Sequence, residues 1–249
     1  MRYAPALEMA DHTIPYRLIV KEIAAKNGVY ATFMPKPIFG QNGSGMHVHM
    51  SLFKNGRNTF FDGSDQYNLS AVGKAFIAGQ LRHAREMSAV FAQWVNSYKR
   101  LVPGYEAPVY VAWSRRNRSA LVRIPLYKPG AEQATRAEIR CPDPSGNPYL
   151  TFAALLHAGL EGIEQGYTLE EPMETNLYHL TADERRELGI TELPESLGEA
   201  IEELAASPLM RRALGDHVFE RYVELKRAEW DEYRLQVTQW EIDRYLKML

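Results

Sequence analysis

Cysteine is almost missing from this chain. Cys141 stands alone among 249 residues, so no internal disulfide can staple the fold, and a lone thiol fits a reducing cytoplasm. An excess of charge of one sign is missing too: 29 Lys+Arg against 31 Asp+Glu leave a formal net charge of -2, which gives nucleic acid no electrostatic footing. No uninterrupted apolar run approaches the roughly 18 residues a membrane span needs. The opening Met1-Arg2-Tyr3-Ala4-Pro5 leads straight into mixed polar sequence, without the apolar stretch of a signal peptide. Internal repeats and low-complexity tracts are lacking. What is present is an ordinary globular composition, 45% hydrophobic and 24% charged, long enough for one large domain or two small ones.

The stretch around which the chain is organised runs from Asn42 to Ser51, Asn-Gly-Ser-Gly-Met-His-Val-His-Met-Ser. Two glycines flanking a serine read as a backbone-permissive turn, and the strict alternation behind them reads as a β-strand. Period two places His47, His49 and Ser51 on one side, with Met46, Val48, Met50 and Leu52 on the other. One face is core and the other is capable of chemistry. Asn55-Gly56 then predicts a type I′ hairpin turn, which needs two residues tolerant of positive φ.

Upstream, Asp11 to Asn27 predicts a helix with Pro15 in its first turn, Asn27-Gly28 as its stop, and one apolar stripe packed on a sheet. Val29 to Pro35 is β-like, and Ser64 to Leu69 reads as a turn. Val72 to Phe91 predicts one long helix or two, with Arg82, Arg85 and Glu86 on a solvated face. Asn96 to Pro108 is proline-bounded and too irregular for helix or strand, so it is expected to be a stiff loop presenting Lys99, Arg100 and Glu106 to an anionic substrate.

Val109 to Trp113 and Ala120 to Pro125 predict strands around the basic turn from Ser114 to Ser119. Arg118 and Arg123 differ by an odd number, so for both to line one pocket Arg118 must sit in the turn or a bulge must intervene. Thr135 to Cys141 alternates again, with Arg136, Glu138 and Arg140 on one face and Ala137, Ile139 and Cys141 on the other. Such a face is either a solvent-facing ladder of ion pairs or a cavity wall, in which a carboxylate holds a cation and arginines hold anions.

From Asn147 onward the pattern is helical. Asn147-Pro148 is an N-cap with proline at the first helical position, and Leu150 to Ile163 is apolar nearly all round, predicting a buried helix. Thr181 to Glu184 and Ser196 to Glu199 have the capping-box form, Ser207-Pro208 opens another helix, and a last long helix starts near Asp216. Strands first and helices last predict an α+β fold in one domain.

Taken together, these stretches resemble the catalytic domain of glutamine synthetase. The resemblance rests on Phe33-Met34-Pro35-Lys36-Pro37, Asn42 to His49, Asn96 to Pro108, Arg116 to Ala120 and Glu138 to Pro144, and it runs along essentially the whole chain. The ending, Gln239 to Leu246, looks like the feedback-inhibited bacterial type I branch. The resemblance implies an antiparallel sheet forming a half-barrel-like active-site wall packed by helices, with a mostly helical C-terminal part. It also implies a ligase of nitrogen metabolism and glutamine biosynthesis, in which ATP phosphorylates the γ-carboxylate of glutamate and ammonia displaces phosphate. Such chemistry needs Mg2+ or Mn2+ on the phosphates, arginines on the transferring group, and a flap that keeps water out.

Carried over by matched motif, the resemblance makes His47 and Glu138 metal ligands, and assigns glutamate to Asn42, the backbone of Gly43, Arg100 and Arg140. Glu106 would close the flap and deprotonate ammonium. His49 and Ser51 would contact the nucleotide, Arg118 and Arg123 its phosphates, and the backbone near Tyr3 the adenine side. A cytoplasmic homo-oligomer of stacked rings is implied, with no nucleic acid and no membrane among its partners.

Departures from the family pattern are informative. The family's further metal-ligand glutamates and its small N-terminal β-grasp domain lie upstream of the residues matched here, so residues 1–249 are expected to be the catalytic domain truncated at its N-terminal end, with little or no activity alone. Gln133 stands where many relatives carry a basic residue, and Tyr178 matches a tyrosine adenylylated in another branch, though a packing or surface role is expected here. A γ-glutamyl ligase for an organic amine, or a non-catalytic assembly or regulatory module, are the alternative readings.

Overall fold

The computed structural model describes residues 2–105 and 107–249. A helix, α1 (Ala6–Lys26), leads into the glycine turn, then a short strand β1 (Val48–Met50) and the hairpin of β2 (Phe53–Lys54) and β3 (Arg57–Asn58). Asn55 at φ 53° and Gly56 at φ 74° make its two-residue turn, as the Asn-Gly pair predicts. Three helices follow, α2 (Ala71–Arg82), α3 (Ala84–Phe91) and α4 (Val95–Arg100), then the strands β4 (Tyr110–Ser114), β5 (Ala120–Arg123) and β6 (Ala137–Ile139). The remainder is helical: α5 (Pro148–Gln165), α6 (Ala182–Glu187), α7 (Leu197–Ala205), α8 (Pro208–Leu214), α9 (Asp216–Arg234) and α10 (Gln239–Tyr245). The class is α+β, as the element order predicts, and none of the described helices is long and apolar enough to cross a membrane.

The main sheet has the order β1-β6-β5-β4. β1 and β5 both pair antiparallel to β6, but β4 pairs parallel to β5, a departure from the all-antiparallel wall expected. The register slips between Tyr110 and Trp113, and residues 115–119 double back along the strand instead of making a hairpin. The core face carries Val122, Ala137 and Ile139, all fully buried.

Behind the sheet, α2 and α5 pack backbone to backbone. A side chain added at Gly79 would run into the Ala158 carbonyl oxygen, one at Gly162 into the Ala75 carbonyl, and one at Gly159 into the Phe76 ring. Small residues on both helices therefore bring the axes together, and Ala154, Leu155 and Ala158 complete the contact. Only one face of α5 is buried; Leu156 and Leu160 remain exposed, against the expectation of burial all round.

Other local expectations need revision. α1 begins five residues earlier than Asp11, which puts Pro15 inside the helix, and it packs on α5 rather than on a sheet, burying only Ala10 and Thr13. Residues 29–35 join no strand among those described, because no neighbour offers a ladder to them. Val72 to Phe91 is two helices, broken at His83. Its polar residues are not simply solvated: Arg85 bridges to Glu199 and Glu203 on α7, Glu86 accepts from Ser207 and pairs with His83, and Arg82 lies 4.7 Å over the Tyr167 ring. The first half of the proline-bounded loop is the helix α4.

The caps follow the sequence closely. The Asn147 side chain accepts from Tyr149 and Leu150 amides, Thr181 and Glu184 form a reciprocal box, and Ser207 accepts from Met210. Ser196 caps α7, but the Glu199 carboxylate turns to the Glu195 amide and Arg85 instead of closing a box.

Candidate active site

The glycine turn is seated on an arginine. Neither Gly43 nor Gly45 has positive φ; glycine is needed there for close approach, not for a left-handed backbone. A Cβ at Gly43 would lie 2.5 Å from the Pro35 carbonyl oxygen and 2.8 Å from Arg100 Cγ, and one at Gly45 would lie 2.5 Å from Arg100 Nη2. Ser44 N–H donates to Pro35 O and Met46 N–H to Pro142 O, both at 2.8 Å, which lays the turn flat across the guanidinium.

Arg100 closes α4 and is buried, not presented on a loop as expected. Its Nη1 donates to Cys141 O at 2.7 Å and its Nη2 to Arg140 O at 3.1 Å. Burial lowers its pKa, with Asp143 pulling the other way. Arg140 is also buried, donating from Nη1 to the Arg118 carbonyl, yet its buried Nε has no hydrogen-bond partner. Both arginines line a cavity of about 250 Å³ together with Asn42, Gly43, Gly45, His47, Tyr105 and Ala107. The structure thus gathers Asn42, Gly43, Arg100, Arg140 and His47, residues up to about a hundred positions apart, around one space.

The charged row beside it follows from strand register. His49 pairs with Glu138 across β1 and β6, and Glu138 pairs with Arg123 across β6 and β5, so all three share one face of the sheet. His47 Nδ1 lies 3.0 Å from Glu138 Oε1, His49 Nε2 lies 3.7 Å from the same oxygen, and Arg123 Nε donates to Oε2 at 2.5 Å. Burial would raise the Glu138 pKa, but the bonds from His47 and Arg123 outweigh it and hold the carboxylate down at about 2. Arg136 Nε donates to His49 Nδ1 at 3.1 Å, which places the proton of a neutral His49 on Nε2. Sequence reasoning put Arg136 on this face as one of the arginines that could hold an anion; only the pairing of β1 with β6 reveals His49 as its partner.

An ionised carboxylate with imidazoles converging on one oxygen is chemically suited to share a divalent cation. It is a partial donor set: among the described residues no group of three or more His, Cys, Asp or Glu side chains is placed to hold a metal ion.

Other predicted residues sit apart. Arg118 lies in the turn and lines a separate cavity of about 440 Å³ with Arg116, Asn117, Glu174 and Tyr178, a cavity that Arg123 does not line. Tyr178 is half-buried, and its hydroxyl donates to Ala107 O at 2.7 Å. Ser51 is exposed just past β1. Tyr3, 94% exposed, lines neither cavity. Gln133 accepts from the Asn58 amide at 2.9 Å and so ties the β2–β3 hairpin to the sheet. Glu106 lies outside the described residues.

The profile of the family described as "Glutamine synthetase, catalytic domain" matches residues 1–245. A glutamine synthetase from Clostridium saccharobutylicum is 53% identical over 98% of this chain and 55% of its own length. One from Mycolicibacterium smegmatis is 52% identical over 100% of this chain and 56% of its own. The chain therefore spans about half the length of the curated relatives it matches. A solved structure described as "GmaS/ADP complex-Conformation 1" superposes with a TM-score of 0.88 at 35% identity, covering 99% of this chain and 56% of that one. With its glycine turn, buried arginine pair and His–Glu row placed as described, this chain belongs to the glutamine synthetase catalytic-domain family.

Proposed function

We propose that residues 1–249 form the catalytic domain of an ATP-dependent ligase that joins ammonia to the γ-carboxylate of glutamate through a γ-glutamyl phosphate. The observation that carries this reading is the cavity itself, where Asn42, Gly43, Arg100 and Arg140 converge and Arg140 keeps a buried Nε–H unpaired. A buried donor without a partner costs about 1–3 kcal/mol, a cost that a bound carboxylate removes.

In this reading Arg140 and Asn42 hold the amino-acid end of glutamate, and Arg100 fixes the glycine turn whose backbone lines the same space. His47 and Glu138 are two of the ligands of a divalent cation, Mg2+ or Mn2+, which when bound supplies positive charge to phosphate oxygens. Arg123 holds Glu138 ionised and presents its remaining guanidinium donors to phosphate; His49, Ser51 and Arg118 approach the nucleotide from β1 and the 115–119 turn. The ADP complex of the similar solved structure supports an adenine nucleotide on this fold. Glu106 is assigned, from its motif, to the loop that closes over the reacting carboxylate and accepts a proton from ammonium.

Two described metal ligands are too few for hard cations that prefer six oxygens or more. This chain alone is therefore expected to turn over very slowly, because the family's further metal-ligand glutamates lie upstream of the residues matched here; a homo-oligomer is expected as well. Leu7, Leu18, Ile19 and Ile23, exposed along α1, suit burial in such an assembly. The single buried thiol of Cys141 fits a cytoplasmic location.

Calorimetry on the purified chain tests the reading. L-glutamate is expected to bind, and Arg140→Met to weaken it at least tenfold. ATP with Mn2+ should bind as well. A well-folded chain that takes up neither would instead be a non-catalytic module. In an assembled enzyme, ammonia should outperform putrescine and ethanolamine in ADP release; the reverse order would make it an organic-amine ligase.

A further inference from the structure

Two walls of the substrate cavity come from distant parts of the chain: the glycine turn beginning at Asn42, and the segment containing Tyr105 and Ala107. One ammonium touches both sides. Lys36 Nζ lies 3.9 Å from the centroid of the Tyr105 ring, and it also donates to the carbonyl oxygen of Gln41, the residue just before the glycine turn.

The backbone beneath that ammonium is held from two directions. Lys36 N–H donates to Asn96 Oδ1 at 2.8 Å, and Asn96 Nδ2 donates back to Lys36 O at 3.0 Å, so α4 grips the residue by a reciprocal pair. The neighbouring Pro35 carbonyl receives the Ser44 amide. Lys36 is thus anchored at its main chain while its half-buried side chain spans from Gln41 to the Tyr105 ring. A cation over a tyrosine face is drawn to the negative charge of the ring's π-face, the more strongly as water is excluded.

We infer that Lys36 is a positioning residue: its ammonium, shared between Gln41 O and the Tyr105 ring, sets how far the Tyr105 segment stands from the glutamate-binding turn. Resting on the ligase reading, it makes Lys36 a determinant of glutamate affinity without touching glutamate. Leu101 is tied to the core and to the last turn of α4, and beyond it the chain bends at Gly104, φ 92°, before reaching Tyr105. A neutral side chain at position 36 frees Tyr105 to swing outward.

Hydrogen exchange of residues 101–105 in the full chain tests this directly, without needing turnover. Lys36→Met should speed exchange there roughly tenfold, the effect of losing about 1.4 kcal/mol, with the thermal midpoint unchanged. Lys36→Arg keeps a cation over the ring and should restore slow exchange. Unchanged exchange in Lys36→Met overturns the inference, as does an equal acceleration in Lys36→Arg. If Lys36→Met does not fold, Tyr105→Leu against Tyr105→Phe decides: only the loss of the ring should speed exchange, and equal behaviour of the two overturns the assignment. Glutamate affinity, measured in parallel, should weaken in Lys36→Met and recover in Lys36→Arg. A wild-type chain that binds no glutamate would defeat the ligase reading while leaving the exchange measurement to judge the contact.

Discussion

The α2–α5 contact and the wall of β1, β6, β5 and α4 are equally buried and bury opposite things. Between the helices no charge is buried: glycines and alanines remove side chains until the two backbones meet, and the one amide there, Gln80, reaches the Leu155 carbonyl across the contact. In the wall, three charged side chains, Arg100, Glu138 and Arg140, are more than nine-tenths buried. Each is tolerated because specific atoms of distant segments meet it: main-chain carbonyls for the arginines, His47 and Arg123 for the glutamate. Close packing there depends on volume, and here on partners. A helix contact of that kind carries no chemistry, whereas a wall of that kind binds ions because its charges are already desolvated and aimed.

The comparison can be broken most forcefully at the helix pair. Gly79→Val should cost about 3 kcal/mol or more in urea denaturation, because the atom in the way is a carbonyl of the facing backbone, which cannot turn aside. A cost below about 1 kcal/mol would show that α2 and α5 can separate freely. Next, Arg100→Lys should cost roughly 2–3 kcal/mol although charge is kept, since one ammonium cannot reproduce a fork that reaches two separate carbonyls. Full stability in that variant would mean that charge alone, and not partner geometry, matters in the wall.

Glu138→Gln sharpens the contrast through pH. A carboxylate held at about 2 in the folded chain, against about 4.5 when unfolded, contributes stability that is complete above the higher value and is lost as pH falls toward the lower one. The wild-type urea midpoint should therefore be flat from about pH 7 to 5 and fall steeply below about 4.5. Glu138→Gln should begin lower, by roughly 1–3 kcal/mol from the unpaired Arg123 and His47, and fall less steeply in acid. Parallel acid profiles for the two proteins would remove Glu138 from the electrostatic account. The smallest effect belongs to the helical half: Thr181→Ala opens an exposed capping box and should cost about 1 kcal/mol or less.

Local patterns were most legible where the residues that decide an element lie within it. Asn55-Gly56 specified its turn, and Asn147, Thr181 and Ser207 specified their helix starts, because each cap bonds within three residues of itself. Burial was less legible. The apolar face of α1 reads like any packed helix, yet most of it is exposed, and nothing in its own sequence says whether a neighbour exists. Arg100 was read as a presented charge because its carbonyl acceptors on residues 140 and 141 lie forty positions away. Still longer separations in sequence hid the Arg136–His49 bond and the lysine above Tyr105.

By itself the sequence determined most of the element types, though not α4 or the path of residues 29–35, most of the caps, the two-faced character of the 46–52 and 135–141 stretches, and, through its motifs, the family. Tertiary structure alone decided that β1 and β5 flank β6 in the register that lines up His49, Glu138 and Arg123, and that the glycine turn lies on Arg100. The reason is the range of the forces: capping and periodicity act over a few residues of one segment, whereas desolvated charges are placed by whichever distant atoms can satisfy them.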